Sequence, residues 1–533
     1  MATEKFEVKI ESILGGQSRD LYNGSPDQFH ISIGIDPDIQ LINTNANKTS
    51  GAIVPSSYAE FSSTVLTGDP MWAISSPKDT NLYVVTDDDE LISYSSSLGS
   101  EAEIGNGYAD TSESGNGNGA AYYNNYIYMA TTIDVARYGP LDGTAAITKS
   151  YWSGTLSLGA LTNTTYTNLR GVFIPNHPMH VHSDNKLYFG DITGGQGVIH
   201  YFQTSKTTDE GDTNNGSTFN ALDLPFGYRP VDIESWGTDL AVLAVEGLNA
   251  NVIQGKSSLF LWDTVADSFY LKADIQDPFA TALLNHNGHL YIWSGASRGC
   301  RVSVYEGGYS ARTLGIVQEG APPFAGAVAA IGERIMWGSY TDYPFDSASV
   351  FAMGYKDKFD TAIHNIINTD SVENNTQVVT CLRHFEQASG SDSSLDDPLL
   401  IVGWGDNTGA NGFGLDKKSN NSANAAEIRF LYYKVGRPFR IDEVVIPLGE
   451  AITTNHTLVV TVYYDDGSTT EALTTINSTN FTASERRVRL RPADTNRGND
   501  NFTIGLKWTG TRQLAVTLPI IIKGTTFDED GIE

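Results

Sequence analysis

Three histidines stand close together in His177-Pro178-Met179-His180-Val181-His182, within a chain of 533 residues. On a strand, residues two apart share a face, so His180 and His182 would present two imidazoles on one side. Neutral imidazoles at that spacing can share a divalent cation, and Asp184 is close enough to serve as a third ligand. The plainer expectation is a pair of surface or hydrogen-bonded side chains, whose removal costs less than about 0.5 kcal/mol. That expectation is preferred, and no metal ligand is assigned.

Other chemical patterns dissolve when their flanks are read. Gly295-Ala296-Ser297-Arg298-Gly299 matches G-x-S-x-G, but a nucleophile elbow joins a strand to a helix. Here HLYIWS and RVSVYE flank it, two strand-like runs, which predicts a hairpin turn. Gly255-Lys256-Ser257 has a phosphate-loop flavour, yet Gly247 lies eight positions before Gly255 and the following segment reads as a strand. No helix N-terminus is then available to hold phosphate. Thr207 to Thr213 is similar to the Asp-box turn of sialidase propellers, with Asn214 where that box has an aromatic residue. No other repeat carries the box and no arginine cluster accompanies it, so a plain turn is expected. Asp87 to Asp89 and Asp465-Asp466 read as solvated turns, with a weak calcium site as the alternative. Cys300 and Cys381 read as buried small hydrophobes rather than as a disulfide. Catalytic, cofactor-binding and metal-ligating residues are all assigned as none.

The elements around these residues are repeated. A polar turn runs into a short apolar and aromatic strand at TNLYVVTD (Leu82), NYIYMATT (Ile127), NKLYFGD (Leu187) and TDLAVLAV (Leu240). It returns at GHLYIWSG (Leu290), ERIMWGSY (Ile335) and DPLLIVGWGD (Leu400), at spacings of 45, 60, 53, 50, 45 and 65 residues. Each copy has a further short strand before it and another after it. Repeats of this length built from strands and Gly/Asn turns predict a β-propeller, with one four-stranded sheet per blade. Seven copies predict seven blades. A strand from outside the array is expected to seal the last blade, from an end that the repeats do not specify.

Residues 1–64 read as an irregular arm with one strand in QFHISIGIDP, residues 65–424 as the propeller, and residues 425–533 as a β-sandwich. The polar, small-residue run KKSNNSANAA from Lys417 to Ala426 marks the boundary. Beyond it come longer alternating strands, including EIRFLYYKV, FRIDEVVIPL, HTLVVTVYYDD and FTIGLKWTG. Asp466-Gly467 between two strands signals a hairpin. The fold class is therefore all-β: a seven-bladed propeller followed by a sandwich.

A net charge of −29 argues against nucleic acid and anionic membrane surfaces as partners, since both require dense Lys and Arg. The start MATEKFEVKIESILGG has no apolar signal region and no stretch reaches 18 apolar residues, so neither export nor a membrane span is expected.

The segments TSGAIVPSSYAEFSS and LYYKVGRPFRIDEVVIPL, the ending LPIIIKG and the propeller without enzyme motifs together resemble structural proteins of tailed bacteriophages. The resemblance covers nearly the whole chain. It implies a non-enzymatic virion component assembled in the host cytoplasm: a tail hub, tip, fibre adaptor or peripheral tail protein. Its partners would be other virion proteins in a multi-copy assembly, with no cofactor. The alternative is a protein that binds or hydrolyses host glycans, using Trp152, Trp236, Trp337 and Trp404 as stacking platforms. Trp337 and Trp404 lie within the repeated strand and are expected in the core. Ile53, Val54, Pro55, Tyr58 and Phe61 give the arm an apolar set that should lie along a neighbour or along the propeller itself.

Overall fold

The computed structural model describes residues 4–527 apart from 19, 38–40, 43–47, 50–51, 54, 57, 63–64, 106, 111–116, 133, 152–164, 167–171, 174–176, 204–217, 248–255, 297–298, 319, 342–346, 355–362, 369–376, 387–398, 406–411, 419–425, 494–496 and 512–513. Two compact units divide it: residues 1–59, 349–370 and 418–533 form one, residues 60–348 and 371–417 the other. No helix among the described residues is long and apolar enough to cross a membrane.

Among the described residues, antiparallel sheets of four strands follow one another along the chain. In chain order, their first strands are Pro70–Ser75, Ala120–Tyr123, Met179–Val181, Tyr228–Trp236, Phe279–His286, Val328–Ile331 and Val378–Phe385. The seven phrases read from the sequence are the second strands, and their marker residues Leu82, Ile127, Leu187, Leu240, Leu290, Ile335 and Leu400 are all buried. Each such strand is flanked by sheet on both sides and packed on both faces, which selects Val, Ile, Leu and aromatics. Leu82–Thr86 and Tyr126–Ala130 are buried at every residue. This succession of four-stranded sheets is a β-propeller arrangement.

Neighbouring sheets are tied through their first and second strands and the turns beside them. Trp72 Nε1 donates to the Gly117 carbonyl at 2.8 Å, and Tyr123 OH to the Asn185 carbonyl at 2.8 Å. Leu283 N donates to Asp232 Oδ2 at 2.7 Å, and the rings of Trp293 and Trp337 stand 5.9 Å apart. Gly338 lies so close to Val379 that a Cβ there would sit 2.2 Å from Val379 Cγ1. Thr380 Oγ1 donates to the Pro70 carbonyl at 2.7 Å, joining the last sheet to the first. Bulges interrupt several first strands, between Pro70 and Trp72, Pro230 and Asp232, Ala280 and Ala282, and Val379 and Cys381. A bulge leaves one residue outside the ladder and re-aims its neighbours, which frees Thr380 to bond across sheets.

The strand that completes the last sheet is Tyr58–Glu60, placed beyond Leu399–Gly405 and Gly414–Lys418. The chain just after it continues the edge: Phe61 N donates to the Leu415 carbonyl at 2.9 Å, and Leu415 N to Ser62 Oγ at 3.1 Å.

In the first unit, two sheets share one hydrophobic cluster. One has the order Glu4–Ile10, Ile520–Thr526, Phe439–Pro447, Arg487–Leu490. The other holds Gln28–Ile33, Ala426–Phe430, Asn501–Trp508 and Leu458–Tyr464. Their inward residues, among them Ile10, Phe29, Phe439, Val460, Ile504 and Ile522, are at most 1 % exposed. Residues read as an irregular arm are therefore regular strands at both its start and its single expected strand. Glu4–Ile10 pairs in full register with Ile520–Thr526, and Ile31 to Ile33 pair with Glu427 to Arg429. KFEVKI alternates charged and apolar residues at every position, a strand pattern of an edge strand whose charged side chains stay exposed while Ile10 is buried. Of the arm's apolar set, Ile53 and Pro55 are buried, Tyr58 and Phe61 half-buried, and Val54 lies outside the described residues. The turn at Asp465–Gly467 joins Leu458–Tyr464 to Thr469–Ala472 as a hairpin, with positive φ at Asp465, Asp466 and Gly467.

Candidate functional site

The first strands of all seven sheets line one cavity of about 1000 Å³ in the second unit. Most of the wall is neutral, with Ile74, Ala121, Val181, Ile233 and Leu284 upon it. Its chemistry is supplied by His180, Asp232, Glu234, Arg383, His384 and Glu386.

His180 and His182 do converge, but on a hydroxyl. His180 Nε2 lies 2.7 Å and His182 Nδ1 2.8 Å from Ser235 Oγ. His182 Nε2 faces the Thr238 carbonyl at 3.1 Å, so this nitrogen carries the proton and Nδ1 is the acceptor. Ser235 must then donate to His182 and accept from His180, which fixes a single direction: His180 N–H to Ser235 O–H to His182. The position between the rings where a cation would sit holds the serine oxygen instead. Asp184 is turned elsewhere, accepting from Tyr188 OH at 2.7 Å and pairing with Lys186 Nζ at 2.9 Å. Among the described residues no group of three His, Cys, Asp or Glu is arranged to hold a metal.

Of the expected surface or hydrogen-bonded pair, the structure shows the hydrogen-bonded form, with His182 buried rather than on the surface. His182 is 3 % exposed, and burial, with His182 as a smaller like-charge cause, holds the His180 imidazole down near pKa 4. The sequence displayed the two histidines but could not display Ser235, more than fifty residues away on the next sheet.

Burial raises the Asp232 carboxyl to about 8, against two backbone donors that favour its charged form: Ile233 N at 2.9 Å and Leu283 N at 2.7 Å. The Glu234 carboxyl is also pushed up to about 8, by burial first and by Asp232 second. His177, the third histidine of the motif, is fully buried and donates from Nδ1 to the Gly190 carbonyl at 3.1 Å. Asp191 beside it faces His200 Nε2 at 3.4 Å, while His200 Nδ1 accepts from Asn220 N at 2.8 Å. These groups have no access to a ligand and serve as polar ties within the third sheet and its neighbour strand.

The remaining patterns fall as follows. Ala296 pairs with Gly299 and Gly295 with Cys300, so the flanks of the G-x-S-x-G match are the two strands of a hairpin, and Ser297 and Arg298 lie outside the described residues. Ser257 opens a strand and its Oγ accepts from Ala280 N at 2.8 Å; Gly255, Thr207 to Thr213 and Trp152 lie outside the described residues. Asp87 accepts from Asp69 N at 2.7 Å, and Asp465 from Asn499 N and Asp500 N at 2.9 Å, so these carboxylates pin turns. Cys300 and Cys381 are buried free thiols, the latter pushed up to about 12 by burial. Trp337 and Trp404 are core residues, with Trp404 Nε1 donating to Asp416 at 2.8 Å. Trp236 is half-buried, edge-on to Tyr305 at 5.2 Å and donating to the Gly288 carbonyl at 2.8 Å.

Neither the scan of protein families nor the search of curated proteins returns a match. Solved structures with a similar strand layout include the Raptor protein of Chaetomium thermophilum, at 10 % identity and a TM-score of 0.42 over 68 % of this chain and 30 % of that one. The WD40 repeats of RRP9 align at 12 % identity and a TM-score of 0.41, over 69 % of this chain and 100 % of that one. The Pan2 WD40 domain of Neurospora crassa aligns at 8 % and 0.39, over 68 % and 94 %. The propeller assignment for this chain rests on its own succession of sheets.

Proposed function

We propose that the seven sheets are the blades of one closed seven-bladed propeller, sealed by the strand at Tyr58–Glu60, and that the two sheets of the first unit form a β-sandwich. On this reading the protein is a non-enzymatic structural component of a tailed-phage virion, a tail hub, tip, fibre adaptor or peripheral tail protein. It acts as a rigid platform whose loops bind other virion proteins.

The observation that carries the platform role is the bonding between neighbouring sheets, ending in the Thr380 to Pro70 bond. Such ties make loop positions rigid, so a surface can be offered to several neighbours without an ordering cost on binding. The virion role rests on the resemblance of residues 49–63 and 431–448 to phage structural proteins. The engagement of Ser235, His180 and His182 with one another supports a structural use of the most reactive-looking cluster. The glycan reading draws support only from Trp236, the one described tryptophan of its set outside the core.

The test is peptide identification in particles purified from the native source by sedimentation through a density gradient. Co-sedimentation in constant ratio to other virion proteins is expected. Absence from particles, together with release of reducing sugar from host polysaccharide, would overturn the reading.

A further inference from the structure

Charge is divided unevenly along the chain. The first unit holds 19 Lys and Arg against 24 Asp and Glu, the second 15 against 39. Residues 79 to 136 carry ten acidic side chains and no Lys or Arg. Within the first unit the cations are gathered further, on one face of one sheet.

That sheet has the order Glu4–Ile10, Ile520–Thr526, Phe439–Pro447, Arg487–Leu490. Side chains alternate between faces along a strand, and residues in register share a face. Ile10, Ile522, Val444 and Val488 belong to the hydrophobic cluster, so their face is turned inward. The residues between them are turned outward: Glu7 stands opposite Lys523, Lys523 opposite Glu443, and Val445 opposite Arg489. Lys5, Lys9, Arg440 and Arg487 share that outward face by the same register. Asp442 joins them, bonded to Thr525 Oγ1 and Arg440 Nε. Six cations therefore meet three carboxylates there, in a chain of net charge −29.

The carboxylates are already shared. Glu443 lies 3.4 Å from Arg489 Nη1 and 4.0 Å from Lys523 Nζ, and Glu7 lies 3.3 Å from Lys9 Nζ and 3.9 Å from Lys523 Nζ. The Arg489 side chain is still 65 % exposed. Lys5, Arg487 and, one alternation further on, Arg491 are exposed and make no ion pair among the described residues. Arg487–Leu490 is also the last strand of its sheet, with no strand partner on its outer side among the described residues.

We propose that this basic face, with its arginine edge, docks on the acidic second unit of another copy of the chain. Charge complementarity selects the occupant: each copy carries a cationic face and an acidic unit, one of each. Joining unlike patches head to tail repeats the contact from copy to copy. Arginine forks suit such a partner because they grip carboxylates with two parallel bonds. The total charge repels a second copy at long range, but at about 0.15 M salt that repulsion is screened beyond roughly 8 Å, while contacts at the face persist. The inference deepens the multi-copy reading above and rests on it for its use in a particle.

Sedimentation velocity of the purified full chain tests it, from about 1 to 300 µM. At about 0.15 M salt the average mass should rise with concentration, and at about 1 M it should fall back to the monomer. R487E/R489E should weaken self-association by roughly tenfold or more. R312Q, which removes an exposed cation of the second unit, should leave it unchanged. R487E/R489E keeps its acidic unit, so in excess it should bind labelled wild type and shorten its assemblies. If that variant does not fold, R487Q/R489Q is read in the same way with a smaller factor. A wild type that stays monomeric throughout, or one whose association ignores both salt and these arginines, would overturn the proposal. So would a wild type that associates with itself but not with R487E/R489E, or a monomer whose face binds heparin instead. Particles are not involved, so a chain that associates yet is absent from virions fails only the virion reading.

Discussion

Thr380 and Pro70 are 310 residues apart in sequence, yet Thr380 Oγ1 donates to the Pro70 carbonyl at 2.7 Å. Both residues are buried, so neither partner can turn to water instead. The bond joins the first strand of the last sheet to the first strand of the first, and it exists because a bulge lifts Thr380 out of its own ladder. Thr380→Val keeps the shape and removes the donor. The expected cost is about 1–3 kcal/mol, from a buried carbonyl left without its partner. A thermal melt would register it as a lower midpoint, and an unchanged midpoint would mean the bond contributes nothing.

Ser235 is the hub of the histidine cluster, so His182→Ala should destabilise by about 1–3 kcal/mol rather than behave as a surface change. The loss would appear in urea denaturation. Chelator treatment should leave the wild-type transition where it is; a shift in the wild type that His182→Ala abolishes would mean that a metal displaces the Ser235 bridge.

Glu234 gives a pH signature. Its folded pKa is raised, so the folded state binds more protons than the unfolded one between the ordinary carboxyl range and about 8. Its contribution is full below that window and is lost as pH rises through it. Glu234→Gln keeps an acceptor for Ser235 N and cannot ionise. Relative to wild type, it should gain stability as pH rises from 6 to 9, by on the order of 1 kcal/mol. His180 acts in the opposite sense: with its pKa lowered to about 4, it loses stability as pH falls from 6.5 towards 4. Denaturation curves at pH 5, 7 and 9 would show both slopes, and parallel curves for wild type and E234Q would refute the assignment to Glu234.

Removal of residues 1–64 takes away Tyr58–Glu60 and the Phe61 and Ser62 bonds to Leu415, together with Glu4–Ile10 and Gln28–Ile33 from the first unit's sheets. The strand Gly414–Lys418 would then become a bare edge, open to pairing with another copy. The truncated protein should melt earlier and associate, as seen by light scattering. A monomer with the wild-type melting profile would show that the closing strand is dispensable.

Much of the fold was legible because the second strands are buried on both sides, so TNLYVVTD and GHLYIWSG carry a dense apolar signature between polar turns. The outer strands were not: Glu101–Glu103 and Ala146–Thr148 are polar or exposed and look like loop. The closing strand was expected but not located, since YAE has no periodicity and its partner is some 350 residues away. At the site, histidine type and spacing gave His180 and His182, while Ser235 is a common residue that acquires meaning only when first strands from separate sheets meet. The edge strand Glu4–Ile10 shows its alternation in the sequence, but nothing local names its partner Ile520–Thr526, some 515 residues on.

An experimental density map that resolves individual strands tests the closed ring most directly. The account predicts seven four-stranded sheets around one cavity, Tyr58–Glu60 as the outer strand of the last, and Thr380 against Pro70. Six or eight sheets around the axis, or a gap between the first strands of the first and last sheets, would contradict it.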